Sequence, residues 1–371
     1  MKKFLIFLLS LVVTSVLLFN TTCSHMYNII VVAPLSSSLT EFGVATINGA
    51  KMKIDEINAN GGLLGHKIYV TEIDDKNDPE TAKKALLGTL KRENAIGVIG
   101  APFSRVAIEV ALVCNNNKVP FVSSVATNPE VTKGKEYAFR SCFSDDFQGY
   151  GCAKFAFETL GCKKAGVIYD ISDPYSTYLA DAFKKEFELL GGSVVAFYPH
   201  PFEPVNFTFL LEKTLASKPD VIFCPDLYRD ASMIYNDLRN IGFNGPVVFG
   251  DGVDSPQFTQ RAKNIKDAYY SNHYDSTNIK FQEFVKNYTA AFNTPPNIEA
   301  YLAYDAAGIF FEAVKEANSF DSDKIVAALK NLSYSGITGP IEFKNSNDPI
   351  KPVYIYGFKG NTPYLVETIK P

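Results

Sequence analysis

The sequence predicts an α/β protein folded as two doubly wound, Rossmann-like lobes. Three features carry that expectation. Short apolar runs alternate with helical patterns from residue 28 onward, the alternation comes in two successive blocks, and long helical patterns return after the second block. Strands that alternate with helices call for a parallel sheet covered on both faces, because each crossover helix lies across the sheet. The 371 residues are also too many for one core of ordinary size, which points to two domains.

The first block opens with NIIVVA at 28–33, a buried-strand run closed by Pro34. A Ser-rich loop at 36–38 leads into a helix with Val44, Ile47, Ala50, Ile54 and Ile57 on one face. That helix stops at Gly61 and Gly62, the residue type that tolerates a left-handed cap. KIYVTEI from Lys67 is the next strand, and Asp78, Pro79 and Glu80 then open a helix with a capping carboxylate and a proline at its first position. AIGVIG ends at Gly100, a helix runs from Ser104 to about residue 115, and a short strand follows at 119–122.

The second block repeats the rhythm. A helix at 147–160 precedes strand AGVIYD at 165–170, and a helix at 178–190 precedes strand SVVAFY. Helix 207–216, strand DVIFCP from Asp220, helix 230–241 and strand PVVFGD from Pro246 continue it. After a strand at 268–271, helical patterns at 279–292 and 298–318 break the rhythm, and a shorter one at 323–332 precedes a strand-rich, Pro-containing tail. The late helices indicate that the chain crosses back into its first half before it ends.

Composition narrows the function. Hydrophobic residues make up 46% and charged residues 20%, with 29 Phe and 20 Tyr, enough apolar material for folded cores. A net charge of −4 leaves no basic footprint for nucleic acid. Lys2 and Lys3, the apolar run 4–19 and a short polar exit read as a signal peptide over residues 1–22, too short to span a membrane. Cys23 directly after it invites lipid modification of a new N-terminus, against plain cleavage near Thr22; stable anchoring takes more than one acyl chain. Of the remaining cysteines, Cys114 and Cys224 sit in apolar runs, and structural burial is expected for the set. A disulfide among Cys142, Cys152 and Cys162 is the alternative.

The functional centre is expected in KVPFVSSVATNPEVT, residues 118–132. Small hydroxyl residues after a buried strand let a ligand approach the main chain, and in open parallel sheets ligands bind at the carboxyl ends of strands. An ordinary loop in which Ser, Thr and Asn cap the next helix explains the same residues. Phe42, Ser104, Val125, Thr127, Tyr175, Tyr228 and Asp251 all follow strands and so share one rim, although Asp251 alone also reads as a helix cap. Four histidines, His25, His66, His200 and His273, sit in no motif; no nucleophile elbow, phosphate loop or HExxH occurs, and GGLLG follows a helix rather than a strand. No catalytic set, metal site or cofactor is expected.

Several stretches carry a resemblance: NGAKMKIDEINANGGLLGHKI at 48–68, DDKNDP at 74–79, VIGAPFS at 98–104, SSVATNPEVT, FRSCFSDDFQG at 139–149 and GDGV at 250–253. In this order the chain resembles the branched-chain amino-acid (Leu/Ile/Val) binding proteins of bacterial ABC importers, over nearly all of its length. The resemblance implies the type I periplasmic binding protein fold, with two lobes joined by three hinge crossovers and a ligand in the cleft between them. The lobes are expected at 27–144 plus 275–338 and at 145–274 plus 339–371. By position, Ser104 and the Thr127 N–H would hold an α-carboxylate, while the Val125 carbonyl, the Thr127 hydroxyl and Asp251 would hold the α-ammonium. Phe42, Tyr175, Tyr228 and Tyr304 would wall the side-chain pocket. The chain departs from some members in lacking a disulfide at Asn77 and Phe103, and Phe42 replaces a larger aromatic. The implied partners are a free L-amino acid, the permease subunits and, through Cys23, the membrane, for a monomeric periplasmic or cell-surface receptor. A ligand sensor of the same fold, for an amino acid, an amide or urea, is the alternative.

Overall fold

The computed structural model describes residues 27–201 and 206–371. The signal peptide and Cys23 lie outside the described residues. Five strands, β1 (Tyr27–Ala33), β2 (Ile68–Asp74), β3 (Ala95–Gly100), β4 (Phe121–Ser123) and β5 (Ala138–Arg140), form a parallel sheet in the order β2-β1-β3-β4-β5. Helices α1 (Thr40–Ala59), α2 (Pro79–Leu90) and α3 (Ser104–Asn116) connect the first four strands. The strand order reverses between β1 and β3, the switch point where α/β sheets open a crevice. Local sequence sets the helix starts. Asp78 accepts a hydrogen bond from the Thr81 N–H at 2.7 Å, with Pro79 at the first helical position.

The chain then leaves this lobe. Helices α4 (Asp145–Lys154), α5 (Pro174–Leu189), α6 (Thr208–Ala216), α7 (Tyr228–Asn240) and α8 (Pro256–Arg261) surround strands β6 (Lys164–Asp170), β7 (Ser193–His200), β8 (Val221–Cys224), β9 (Val247–Phe249) and β10 (Ala268–Asn272). It returns with α9 (Ile279–Phe292), α10 (Ile298–Ala317), α11 (Ser322–Leu329) and the hairpin of β11 (Ser333–Gly336) and β12 (Gly339–Glu342). Finally β13 (Val353–Lys359) and β14 (Thr362–Ile369) close the second sheet in the order β14-β13-β10-β9-β8-β6-β7, with β13 and β14 antiparallel.

Three passages therefore cross between lobes: 141–144, 273–278 and 344–352. The last comes later than the expected boundary at 339. Ile341 and Phe343 pack in the first-lobe core with Phe310 and Phe139, whereas Val353 belongs to the second-lobe core with Phe155 and Phe183. The reason is burial. The β11–β12 hairpin folds over α10, where the Asp305 carboxylate accepts from the Ile337 N–H (2.9 Å), the Thr338 N–H (3.0 Å) and the Thr338 hydroxyl (2.6 Å). Lys351, fully buried in the third crossover, donates to the Thr338 Oγ1 at 2.6 Å, and burial pushes its pKa down to about 8.

Two elements escaped the pattern. β5 is only AFR and α8 only PQFTQR, both too short for periodicity to register. The five described cysteines are buried and free, so the alternative of a disulfide among Cys142, Cys152 and Cys162 does not hold. Burial pushes the thiols of Cys142 and Cys152 up to about 12, and they serve as small hydrophobes.

Candidate functional site

Loops from both sheets meet in a cleft of about 390 Å³, counted to its open mouth. From the first lobe, β3 ends at Gly100 with φ +105°, where a side chain would come within 2.4 Å of the Val32 carbonyl. That turn delivers Ser104 to the first turn of α3. The loop after β4 brings Val125, Ala126 and Thr127 to the cleft wall. It is held from behind. The fully buried Arg140 donates to the Ala126 and Asn128 carbonyls at 3.0 Å each and to the Thr132 Oγ1 at 2.9 Å, and pairs with Asp348 at 2.6 Å. Satisfying two loop carbonyls with one planar guanidinium fixes the backbone that the ligand would meet.

Asp251 faces this loop from the second lobe, in the turn after β9, and is 3% exposed. Its Oδ1 accepts from Gln148 Nε2 at 2.8 Å and from the Tyr175 hydroxyl at 2.7 Å, and its Oδ2 accepts from His273 Nε2 at 2.9 Å. A carboxylate can only accept, so the neutral His273 carries its proton on Nε2. Burial alone would raise the Asp251 pKa, but the bonds from His273, Gln148 and Tyr175 outweigh it and hold the group below its ordinary value. Burial pushes His273 down to about 4. Asp251 is thus a charged acceptor with a lone pair of Oδ2 still open.

Of the expected site residues, Ser104, Val125, Thr127, Tyr175 and Asp251 line one cleft. Phe42 and Tyr228 stand behind it: the Phe42 ring lies 5.9 Å from Phe103, which lines the cleft, and 5.6 Å from Tyr228. Tyr228 opens onto an adjoining cavity of about 1050 Å³. Tyr304 is elsewhere. It packs against Phe284, and its hydroxyl donates to Glu56 at 2.7 Å. The expectation fails on helical geometry, because Tyr304 lies six residues beyond Ile298, roughly 9 Å along α10 and on another face. Ile298 and Glu299 line the cleft instead.

Sequence reasoning missed Gln148, His273, Arg140 and Glu299. Gln148 lies inside a quoted stretch, but its contact with Asp251 spans 103 residues and leaves no local signal. His200 forms a second buried pair, with Asp226 at 2.7 Å, and Asp226 also accepts from the Ser176 hydroxyl (2.7 Å) and the Asp170 N–H (2.9 Å). This network braces the switch point of the second sheet, between β6 and β8. Among the described residues no group of three or more His, Cys, Asp or Glu side chains is placed to hold a metal ion.

Two doubly wound lobes, three crossovers and a cleft fed by both define a hinged, ligand-binding protein rather than a catalyst. Comparison with known proteins agrees: residues 27–362 match the periplasmic binding protein family, and the chain belongs to that family of exported solute-binding proteins, which are not enzymes. It is 27% identical to the Leu/Ile/Val-binding protein BraC3 of Rhizobium johnstonii over 81% of this chain and 82% of the relative. The structure of the leucine-binding protein LivK of Thermotoga maritima superposes with a TM-score of 0.86 at 28% identity, covering 93% of this chain and 99% of the other. The LivJ substrate-binding protein of Streptococcus pneumoniae, solved with isoleucine, gives 0.85 at 28% identity over 93% and 100%. A solute-binding protein of Rhodopseudomonas palustris, solved with benzoate, shares the fold at 22% identity, covering 93% and 96%, with a TM-score of 0.81.

Proposed function

We propose that this chain is the extracytoplasmic receptor of an ABC importer and captures a free L-amino acid, of the branched-chain or other apolar class, by closing its lobes around it. One observation carries the reading: a desolvated carboxylate, Asp251, faces a loop of hydroxyl and backbone donors across the cleft, and among the described residues no Lys, Arg or His lines that cleft. A ligand with only a negative charge, such as an aromatic acid, has no cation to meet there. A zwitterion does better. Its carboxylate takes the Ser104 hydroxyl and the Thr127 N–H, and its ammonium takes the Val125 carbonyl, the Thr127 hydroxyl and Asp251. Pairing both charges is what lets a zwitterion leave water. Tyr175 walls the side-chain pocket, with Phe42 and Tyr228 supporting Phe103.

The test is a calorimetric titration of the mature protein, refolded to strip carried-over ligand, against Leu, Ile, Val, Phe, Ala, Thr, Glu, benzoate, urea and short amides. Tight binding of an L-amino acid is expected. Binding of amides, urea or benzoate alone overturns the role given to Asp251. The receptor is further proposed to be held at the membrane by lipid on Cys23, working as a monomer beside its permease. Cys23→Ser should then release it into the soluble fraction, and a variant still retained on membranes would count against the anchor.

A further inference from the structure

Glu299 is the second residue of α10 and lines the ligand cleft from the first lobe, across from Asp251. It is 4% exposed, and its Oε2 has no hydrogen-bond partner. A buried carboxyl oxygen without a donor is unfavourable, and such a group inside a cleft points to a partner that arrives with the ligand. The other two carboxyls of the cleft already have protein donors. Asp173 caps α5 by accepting from the Tyr175 N–H at 3.1 Å, and Asp251 accepts from Gln148, Tyr175 and His273. Nor is Glu299 required as a helix cap, because Asn297 already accepts from the Ala300 N–H at 3.3 Å. A first-turn carboxylate is favoured by the helix dipole, but that interaction leaves Oε2 unpaired.

The amino-acid pose accounts for the rest. An α-ammonium has three N–H donors, and the Val125 carbonyl, the Thr127 hydroxyl and Asp251 take all three. Glu299 is a fourth acceptor. We infer that Glu299 is a specificity residue of this cleft and that the preferred amino acid carries a hydrogen-bond donor, a hydroxyl, amide or amine, on its side chain; this rests on the amino-acid reading above and replaces the apolar side chain named there. Burial, with the nearby charges of Asp254, Asp251 and Glu41 adding to it, holds the Glu299 carboxyl well above the usual carboxylate range.

The experiment pairs ligands of matched shape, valine with threonine, leucine with asparagine and norleucine with ornithine, against the parent protein, Glu299→Leu and Glu299→Gln. The parent is expected to prefer the polar member of at least one pair by roughly 10- to 100-fold, the worth of one hydrogen bond to a charged or strongly polar group. Glu299→Leu inverts that preference, and Glu299→Gln keeps part of it. A parent that prefers the apolar member of every pair, or a Glu299→Leu variant that keeps the polar preference, overturns the assignment of Glu299 and leaves the amino-acid reading standing. If no amino acid binds the parent, both fall together. Should Glu299→Leu not fold, the parent's own pair preferences and the Gln variant decide the matter.

Discussion

Removing the Asp251 carboxylate strands three protein donors, because Gln148, Tyr175 and His273 all point at it, and on the proposed pose the ligand ammonium as well. Asp251→Ala should therefore lower ligand affinity by about 30- to several-thousand-fold, corresponding to roughly 2–5 kcal/mol for one partner of a desolvated charge pair. It should also lower the unfolding midpoint in the absence of ligand. Calorimetry and a thermal melt on the same sample check both, and an unchanged affinity removes Asp251 from the site. His200 supports a prediction of the opposite kind. Burial works against its charged ring, but the bond and charge of Asp226 outweigh it and raise its pKa to about 9. A raised folded-state pKa means stability that is complete below the unfolded value near 6.5 and is lost as pH rises through about 9. Lys351, pushed down to about 8, acts in the opposite sense as pH rises, so the readout is a difference between proteins. The stability gap between parent and His200→Gln should shrink by about 3 kcal/mol from pH 6 to pH 10, measured by denaturant unfolding. A constant gap would mean that Asp226 does not shift the His200 pKa from its unfolded value.

Among the helices, α10 brings Ile298 and Glu299 to the cleft, and α1 packs against it. The two helices cross at Gly49, where an added Cβ would lie 1.9 Å from the Ala300 carbonyl oxygen, next to the cleft residues Ile298 and Glu299. No rotamer relieves a backbone clash, so Gly49→Ala must push the helices apart. Overpacking of this kind costs about 1–3 kcal/mol, and the shift of α10 should weaken ligand binding as well. Unfolding and titration of the one variant test this, and a variant as stable as the parent would refute the close crossing. Gly49 lies inside NGAKMKIDEINANGG, a stretch that sequence reading placed on a helix without giving the glycine a reason. The longer elements were legible because burial imposes periodicity on them. α9 matches its expected bounds of 279–292, and the buried α10 was recognisable from its apolar run. β5 was not, since three residues hold no period.

At the scale of the molecule, the proposed pose makes closure and recognition one event. Ser104 and Thr127 belong to one lobe and Asp251 to the other, so a ligand that pairs with both stabilises the closed form by its differential contacts. Direct bonds between the lobes add to it: Asn128 Nδ2 donates to the Pro174 carbonyl at 2.8 Å, Tyr301 bonds Asp254, and Gln257 bonds Glu41. Asn128→Asp keeps the side-chain oxygen that caps Glu130 at 2.9 Å but removes the donor to Pro174. It should weaken binding roughly 2- to 10-fold, the value of one hydrogen bond, chiefly by faster release. Stopped-flow dissociation and solution scattering with and without ligand check it; an unchanged dissociation rate would mean that the bond plays no part in closure.

The amino-acid sequence by itself determined the alternation of strands and helices, the two-lobe division, the return of the chain and most of the cleft rim, because each is written in local periodicity or in short loops after strands. Ser104, Thr127 and Asp251 could be named from their positions alone. Only the tertiary structure decided which distant groups hold them. Gln148 from α4 and His273 from the second crossover converge on Asp251, and Arg140 reaches back under the Val125 loop. Tyr304 turns away to Glu56 while Ile298 and Glu299 take the cleft, and the third crossover falls after Phe343 rather than at 339. The physical reason is the same in each case. The rotation of a helix about its axis and the point where a strand leaves one core for another are set by packing between segments far apart in the chain, and no local pattern records it.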